Sequence, residues 1–228
     1  MKKYFLYIFL FLGGNLFAQS YSNKLEITVD SDTLFWLKYN SRIIEKIGLS
    51  NPIDVNKFLR ISSSKYFIEL NSDSGKVIFN VNEILESKET GENFAIKYYL
   101  TKEQIIRIYK LYDSLDLLNI PSDRYILEWQ QGTDGITYII ESKTESSYSF
   151  KNYWTPRSQN KFKESERILE FTNQLDSTIH YQQLRKDFES KIPYYSWKYE
   201  GSIFVAFRPI TDWKRYKRCK RSKGKLKV

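Results

Sequence analysis

Alternation of apolar and polar positions is the strongest signal in this chain. Between Tyr125 and Pro156 the sequence runs YILEWQQGTDGITYIIESKTESSYSFKNYWTP, three alternating runs separated by two turn-forming stretches. Asp134-Gly135 tolerates the positive φ that a tight type I′ hairpin requires, so 125–131 is predicted to pair with 136–142. A five-residue polar loop, 143–147, then returns the chain as a third strand over 148–154, which Thr155-Pro156 ends. That register sets Glu128 opposite Glu141 and Ile140 opposite Phe150. It gathers Leu127, Trp129, Ile136, Tyr138, Ile140, Tyr148, Phe150 and Trp154 on one face, the expected core side. The other face carries Glu128, Thr137, Ile139, Glu141, Lys151 and Tyr153 and is expected to be partly wetted.

The same periods recur elsewhere. Residues 25–29 and 33–39 alternate around Asp30-Ser31-Asp32 and predict a first hairpin; 42–47 predicts a short helix stopped by Gly48. The apolar run at 58–61 has no period that assigns it. Three further strands are predicted over 65–71, 76–82 and 93–100, the last after a Thr90-Gly91 turn. Thr101-Lys-Glu-Gln104 is a capping box, and it opens a helix with Ile105, Ile108, Tyr112 and Leu115 on one face. Ser158 leads to a second helix carrying Ser165, Ile168, Thr172, Leu175 and Ile179. Leu184 and Phe188 extend it or start another before Pro193, and 194–207 predicts a last hairpin. Residues 65–119 and 125–180 thus read alike, as three strands and a helix, the pattern of a pseudo-duplicated βββα unit. The fold class expected is α+β: antiparallel β-meanders with two main helices packed on the sheet, in one domain over 19–213.

Composition moves the picture at the two ends. MKKYFLYIFLFLGGNLFA, residues 1–18, has the basic start, short apolar run and terminal small residue of a secretory signal peptide, and it is too short to span a bilayer. The protein is therefore expected to be secreted or periplasmic, with no transmembrane segment in the mature chain. The formal charge of +9 is concentrated between 214 and 228, where Lys214, Arg215, Lys217, Arg218, Lys220 and Arg221 begin a run of nine basic residues without an acid. This stretch is expected to be a disordered basic tail, able to attract an anionic polymer or surface. The rest of the mature chain is close to neutral.

Three motifs, in order behind a signal peptide, carry a resemblance: Tyr-Tyr-Leu-Thr-Lys-Glu-Gln at 98–104, Gly-Thr-Asp-Gly at 132–135 and Tyr-Trp-Thr-Pro at 153–156. Over roughly residues 65–180 the chain resembles uncharacterised secreted or periplasmic proteins of bacterial cell envelopes. The resemblance implies location and fold, and no activity.

Chemistry-bearing residues are few. One histidine, His180, and one cysteine, Cys219, exclude the usual His- or Cys-based metal sites, and no phosphate-binding or dinucleotide fingerprint occurs. Neither a metal nor a cofactor is expected. His180 falls near a helix end, where an imidazole can meet the last carbonyls. The function expected is a non-catalytic binding module for a protein or glycan at the cell envelope, with Trp36, Lys151 and Tyr153 as binding candidates. The alternative is a carboxylate-dependent hydrolase acting on glycans through Glu128 and Glu141.

Overall fold

A computed structural model describes residues 27–32, 43–51, 54–55, 57–144, 147–200, 202, 204–209, 212–213 and 217. The signal segment, the expected strand at 33–39 with Trp36, and the basic end apart from Lys217 lie outside these residues. Among the described residues, eight antiparallel strands form one sheet: β1 (Phe58–Ser62), β2 (Phe67–Leu70), β3 (Gly75–Leu85), β4 (Lys88–Tyr99), β5 (Thr137–Lys143), β6 (Tyr148–Trp154), β7 (Ser196–Tyr199) and β8 (Val205–Phe207). The order is β6-β5-β1-β2-β3-β7-β8, and β4 also pairs with β3. The long β3 makes this layout work, since its first residues pair with β2, Val81 to Glu83 pair with β7, and β4 runs along it from Lys76 to Leu85.

Helices α1 (Lys102–Ser114), α2 (Lys163–Thr178) and α3 (Tyr181–Lys191) pack on one face, so the α+β expectation holds. The capping box at the start of α1 is formed as its sequence requires: Gln104 N donates to Thr101 Oγ1 at 3.3 Å, and Thr101 N to Gln104 Oε1 at 2.9 Å. Ile105, Ile108, Leu111 and Tyr112 are buried beneath it. The α2 stripe of Ser165, Ile168, Thr172 and Leu175 is likewise buried. His180 separates α2 from α3 with a left-handed φ of 54°, and its backbone makes the break, since the imidazole caps neither helix.

The opposite sheet face is also covered. Ile44, Ile47 and Leu49 pack on Phe67 and Ile78, while Phe58, Tyr148 and Phe150 gather with Ile27, Val55 and Ile139. Coverage on both sides explains why all five residues of β1 are buried, Arg60 and Ser62 included.

Three expectations are corrected here. Residues 125–131 form no strand, because β1 occupies the edge of β5 that they would have used, with Arg60 opposite Glu141 and Ile61 opposite Ile140. Segment 123–129 instead coils through a short 3-10 turn and ties itself to β6 by side chains, among them Trp129 Nε1 donating to Trp154 O at 2.9 Å. The second half of the expected duplication therefore has two strands, not three. Next, the β5–β6 loop is one residue shorter than expected, since Lys143 pairs with Tyr148. That slip turns β6 over relative to β5: Tyr153 and Lys151 join Ile140 on the helix side, while Phe150 joins Glu141. Last, the turn between β3 and β4 falls at Glu86-Ser87, both with positive φ, and Gly91 sits at the irregularity between Asn82 and Ile84.

Candidate functional site

On the face away from the helices, the ends of β1, β5 and β6 floor a cleft of about 790 Å³. Ser62, Ile139, Asn152 and Trp154 come from these strands, Ser63 and Ser64 from the turn that follows β1, and Phe67 from β2. Asp32, Asp123 and Arg124 line one side, the loop from Gln131 to Gly135 another, and Ile43 and Glu200 complete the wall.

The loop wall is fixed by two close approaches. A Cβ at Gly132 would lie 2.5 Å from Cη2 and Cζ2 of the Trp154 indole, and one at Gly135 would lie 1.8 Å from Thr155 Oγ1. No side chain fits at either place, which is the physical reason for glycine in the Gly-Thr-Asp-Gly motif. Thr155 holds a left-handed φ of 40°, kept there by paired bonds to one residue: Thr155 N donates to Ile136 O at 2.9 Å and Ile136 N to Thr155 Oγ1 at 3.1 Å. Two motifs that are separate in sequence, 132–135 and 153–156, thus meet at the cleft.

Behind them lies a chain of hydrogen bonds. Asp123, only 4% exposed, accepts from Trp154 N at 2.7 Å. Burial pushes its carboxyl above the ordinary aspartate range; the Trp154 N–H and Gln131 pull the other way, and the charge of Asp32 adds to the rise. Asp32 is paired with Arg124 at 3.4 Å and its backbone N donates to Phe150 O at 2.7 Å. Ser122 Oγ accepts from Asn152 N at 3.1 Å, which fixes the backbone of Asn152. The side chain of Asn152 is 7% exposed, and its Oδ1 has no hydrogen-bond partner among the described residues.

A second polar cluster lies on the same sheet face and is closed. Arg60, with no exposed surface, donates from Nη2 to Glu69 Oε2 at 2.7 Å and from Nη1 to Glu141 Oε2 at 3.0 Å. Tyr148 OH donates to the same Glu141 oxygen at 2.7 Å, Lys76 reaches Glu69 Oε1 at 2.9 Å, and Ser50 N and Oγ both donate to Glu69 at 3.0 Å. Arg60 Nη2 also donates to Ser50 O. Burial alone would raise the Glu69 carboxyl, but Arg60 and then Lys76 outweigh it and hold it below the usual glutamate range.

The expected carboxylate pair is not formed. Glu128 is exposed in the 126–131 segment, whereas Glu141 is fully buried against Arg60, so the two carboxylates do not face one another. Lys151 is buried too, with Nζ donating to Leu118 O at 2.7 Å and Ile120 O at 2.9 Å and lying 2.6 Å from Asp30. Tyr153 has no exposed surface and donates to Ile120 O at 2.9 Å. Both are occupied in holding the 118–120 turn against the sheet, and neither faces the cleft. Trp36 and the basic candidates Lys214, Arg215, Arg218, Lys220 and Arg221 lie outside the described residues; Lys217 Nζ stands 4.5 Å over the Trp213 ring.

Sequence reasoning missed Asp123, Asn152 and Gln131, and it took Trp154 for core. Its one usable signal was the pair of glycine-bearing and Trp-Thr-Pro motifs. Among the described residues no three His, Cys, Asp or Glu side chains gather as a metal would require, and no helix is long and apolar enough to cross a membrane. What the cleft offers is an indole, an amide, hydroxyls and carboxyls already hydrogen-bonded. Comparison of the chain with known protein families, with curated proteins and with solved structures gave no match.

Proposed function

We propose that the protein is a secreted or periplasmic, non-catalytic binding module whose ligand sits in the cleft over β1, β5 and β6. The observation that carries this reading is the cleft wall: Trp154, half-buried and braced by Gly132, stands beside the Asn152 side chain, so a rigid apolar surface and a polar floor meet in one concave place. A site held rigid before binding loses little entropy when occupied. The basic run at 214–228 would add salt-sensitive attraction to anionic polymers of the envelope.

The test uses solubilised envelope polymers and compares the full mature chain with Asn152→Ala. Retention of polymer by the wild type, lost in Asn152→Ala and leaving polymer length unchanged by mass spectrometry, is the expected result. Shortening of the polymer that stops in Asp123→Asn would replace the module with an acid–base enzyme. Equal retention by wild type and Asn152→Ala would move the ligand away from the cleft.

A further inference from the structure

Resting on that reading, we infer that the ligand is a neutral glycan, one pyranose ring of which stacks on Trp154 while its hydroxyls bond to Asn152, Asp123 and the Ser62–Ser64 segment. Four features of the cleft lead there. First, Trp154 is half-buried, lines the cleft and has Gly132 pressed against its ring, so it presents a flat apolar surface of fixed orientation. A sugar ring has an apolar face of C–H groups to match it, rimmed by hydroxyls that need polar partners.

Second, the surrounding groups suit a ligand that both donates and accepts. The Asn152 amide and the Asp123 carboxyl belong to residues that line the cleft, Asp123 accepting Trp154 N with one oxygen, and Ser62, Ser63 and Ser64 follow one another along the floor. A carboxylate offers about four lone-pair sites, so Asp123 retains acceptor capacity after its backbone bond. Hydroxyl groups, each a donor and an acceptor, satisfy such a mixed lining where a purely apolar ligand would leave it unpaired.

Third, charge argues against an anion. Asp32, Asp123 and Glu200 line the cleft against Arg124, and Arg124 is already paired with Asp32. A phosphate, sulfate or uronate would enter a site with carboxylates in excess and no unpaired cation among the described lining residues. Fourth, the carboxylates are not waiting for a cation either. Asp32 has Arg124, Asp123 has the Trp154 N–H, and Glu200 is bonded by Lys46 at 3.4 Å and by Asn82 at 3.1 Å. A cationic peptide would have to displace these bonds, whereas a neutral sugar adds to them.

The experiment measures equilibrium binding by calorimetry to three pure probe sets: neutral oligosaccharides (cellohexaose, xylohexaose, mannohexaose and chitohexaose), an oligogalacturonate, and oligolysine. The proteins are wild type, Trp154→Ala and Asn152→Ala, each with its thermal unfolding recorded. The expected result is binding of a neutral oligosaccharide, weakened about ten-fold or more in both variants, with no binding of oligogalacturonate or oligolysine by the cleft. Because Trp154→Ala also unbraces the 132–135 loop, Asn152→Ala carries the decision if the tryptophan variant unfolds early. Binding of oligogalacturonate or oligolysine that Asn152→Ala abolishes would overturn the neutral glycan, in favour of an anionic glycan or a cationic peptide respectively, and leave the binding module standing. A neutral oligosaccharide bound equally by wild type and Asn152→Ala would overturn the placement. No binding of any neutral oligosaccharide, alongside Asn152-dependent retention of envelope polymer, would overturn the glycan class alone.

Discussion

Gly132 lies so close to Trp154 that a single added carbon would sit 2.5 Å from two atoms of the indole ring. The loop and the tryptophan are one mechanical unit. Gly132→Ala is therefore expected to lower stability by about 1–3 kcal/mol, the cost of overpacking a fitted contact. Denaturant unfolding measures the loss, and a shifted tryptophan emission in the folded variant would show the indole displaced. An unchanged midpoint and spectrum would mean that the loop yields freely.

Arg60 lies between two buried carboxylates and pairs with both, Glu69 across β1–β2 and Glu141 across β1–β5. Removing one partner of such a set strands the others. Arg60→Met is expected to cost about 3–5 kcal/mol, and the triple change with Glu69→Leu and Glu141→Leu to recover most of it, since well-packed apolar groups can replace a buried ion cluster. Urea titration of both variants checks this. Equal stability of the single and triple variants would contradict the clustered role.

The two buried carboxyls differ in sign with pH. Glu69 has a folded pKa below its unfolded value, so its contribution is present above the unfolded range and lost as pH falls through the folded pKa. Asp123 has a folded pKa above its unfolded value, so its charge opposes folding at neutral pH and the opposition fades as pH falls. At pH ~7, Glu69→Gln is expected to be less stable than wild type and Asp123→Asn equal or more stable. The Asp123 difference should vanish once pH falls to the free carboxyl range, about 4, whereas the Glu69 difference starts to fall there and disappears only below the depressed folded pKa of Glu69. Melting curves across that range test the two signs independently.

Helix α1 was legible in the sequence because its signals are local: a capping box followed by an apolar stripe at helical spacing. Ile108 has no exposed surface under that helix. Ile108→Ala should cost about 2–5 kcal/mol in equilibrium unfolding, and a loss below about 0.5 kcal/mol would be that of a surface site.

The strand order was not legible, because nothing local says which run wins an edge. The Asp134-Gly135 pair reads as a hairpin turn, yet β1 takes the edge of β5, and the glycine is needed for its approach to Thr155. The mostly apolar stretch 58–61, with Arg60 inside it, gives no face to assign until both covering layers are known. The same blindness hid the site. Asp123 and Asn152 are distinguished only by burial and by hydrogen bonds made or left unmade, which no spacing reveals. One lost loop residue was enough to send Lys151 and Tyr153 to the helix side and Asn152 and Trp154 to the cleft side.

A ligand seated in the cleft floored by Asn152 and walled by Trp154 must perturb the groups that line it. Backbone and side-chain amide resonances recorded by NMR during titration with solubilised envelope glycan read this out. The largest shifts are expected on the Asn152 side-chain amide, the Trp154 backbone N–H that bonds to Asp123, and the 131–135 loop. Shifts confined to other surfaces, with these resonances unmoved at saturation, would contradict that placement.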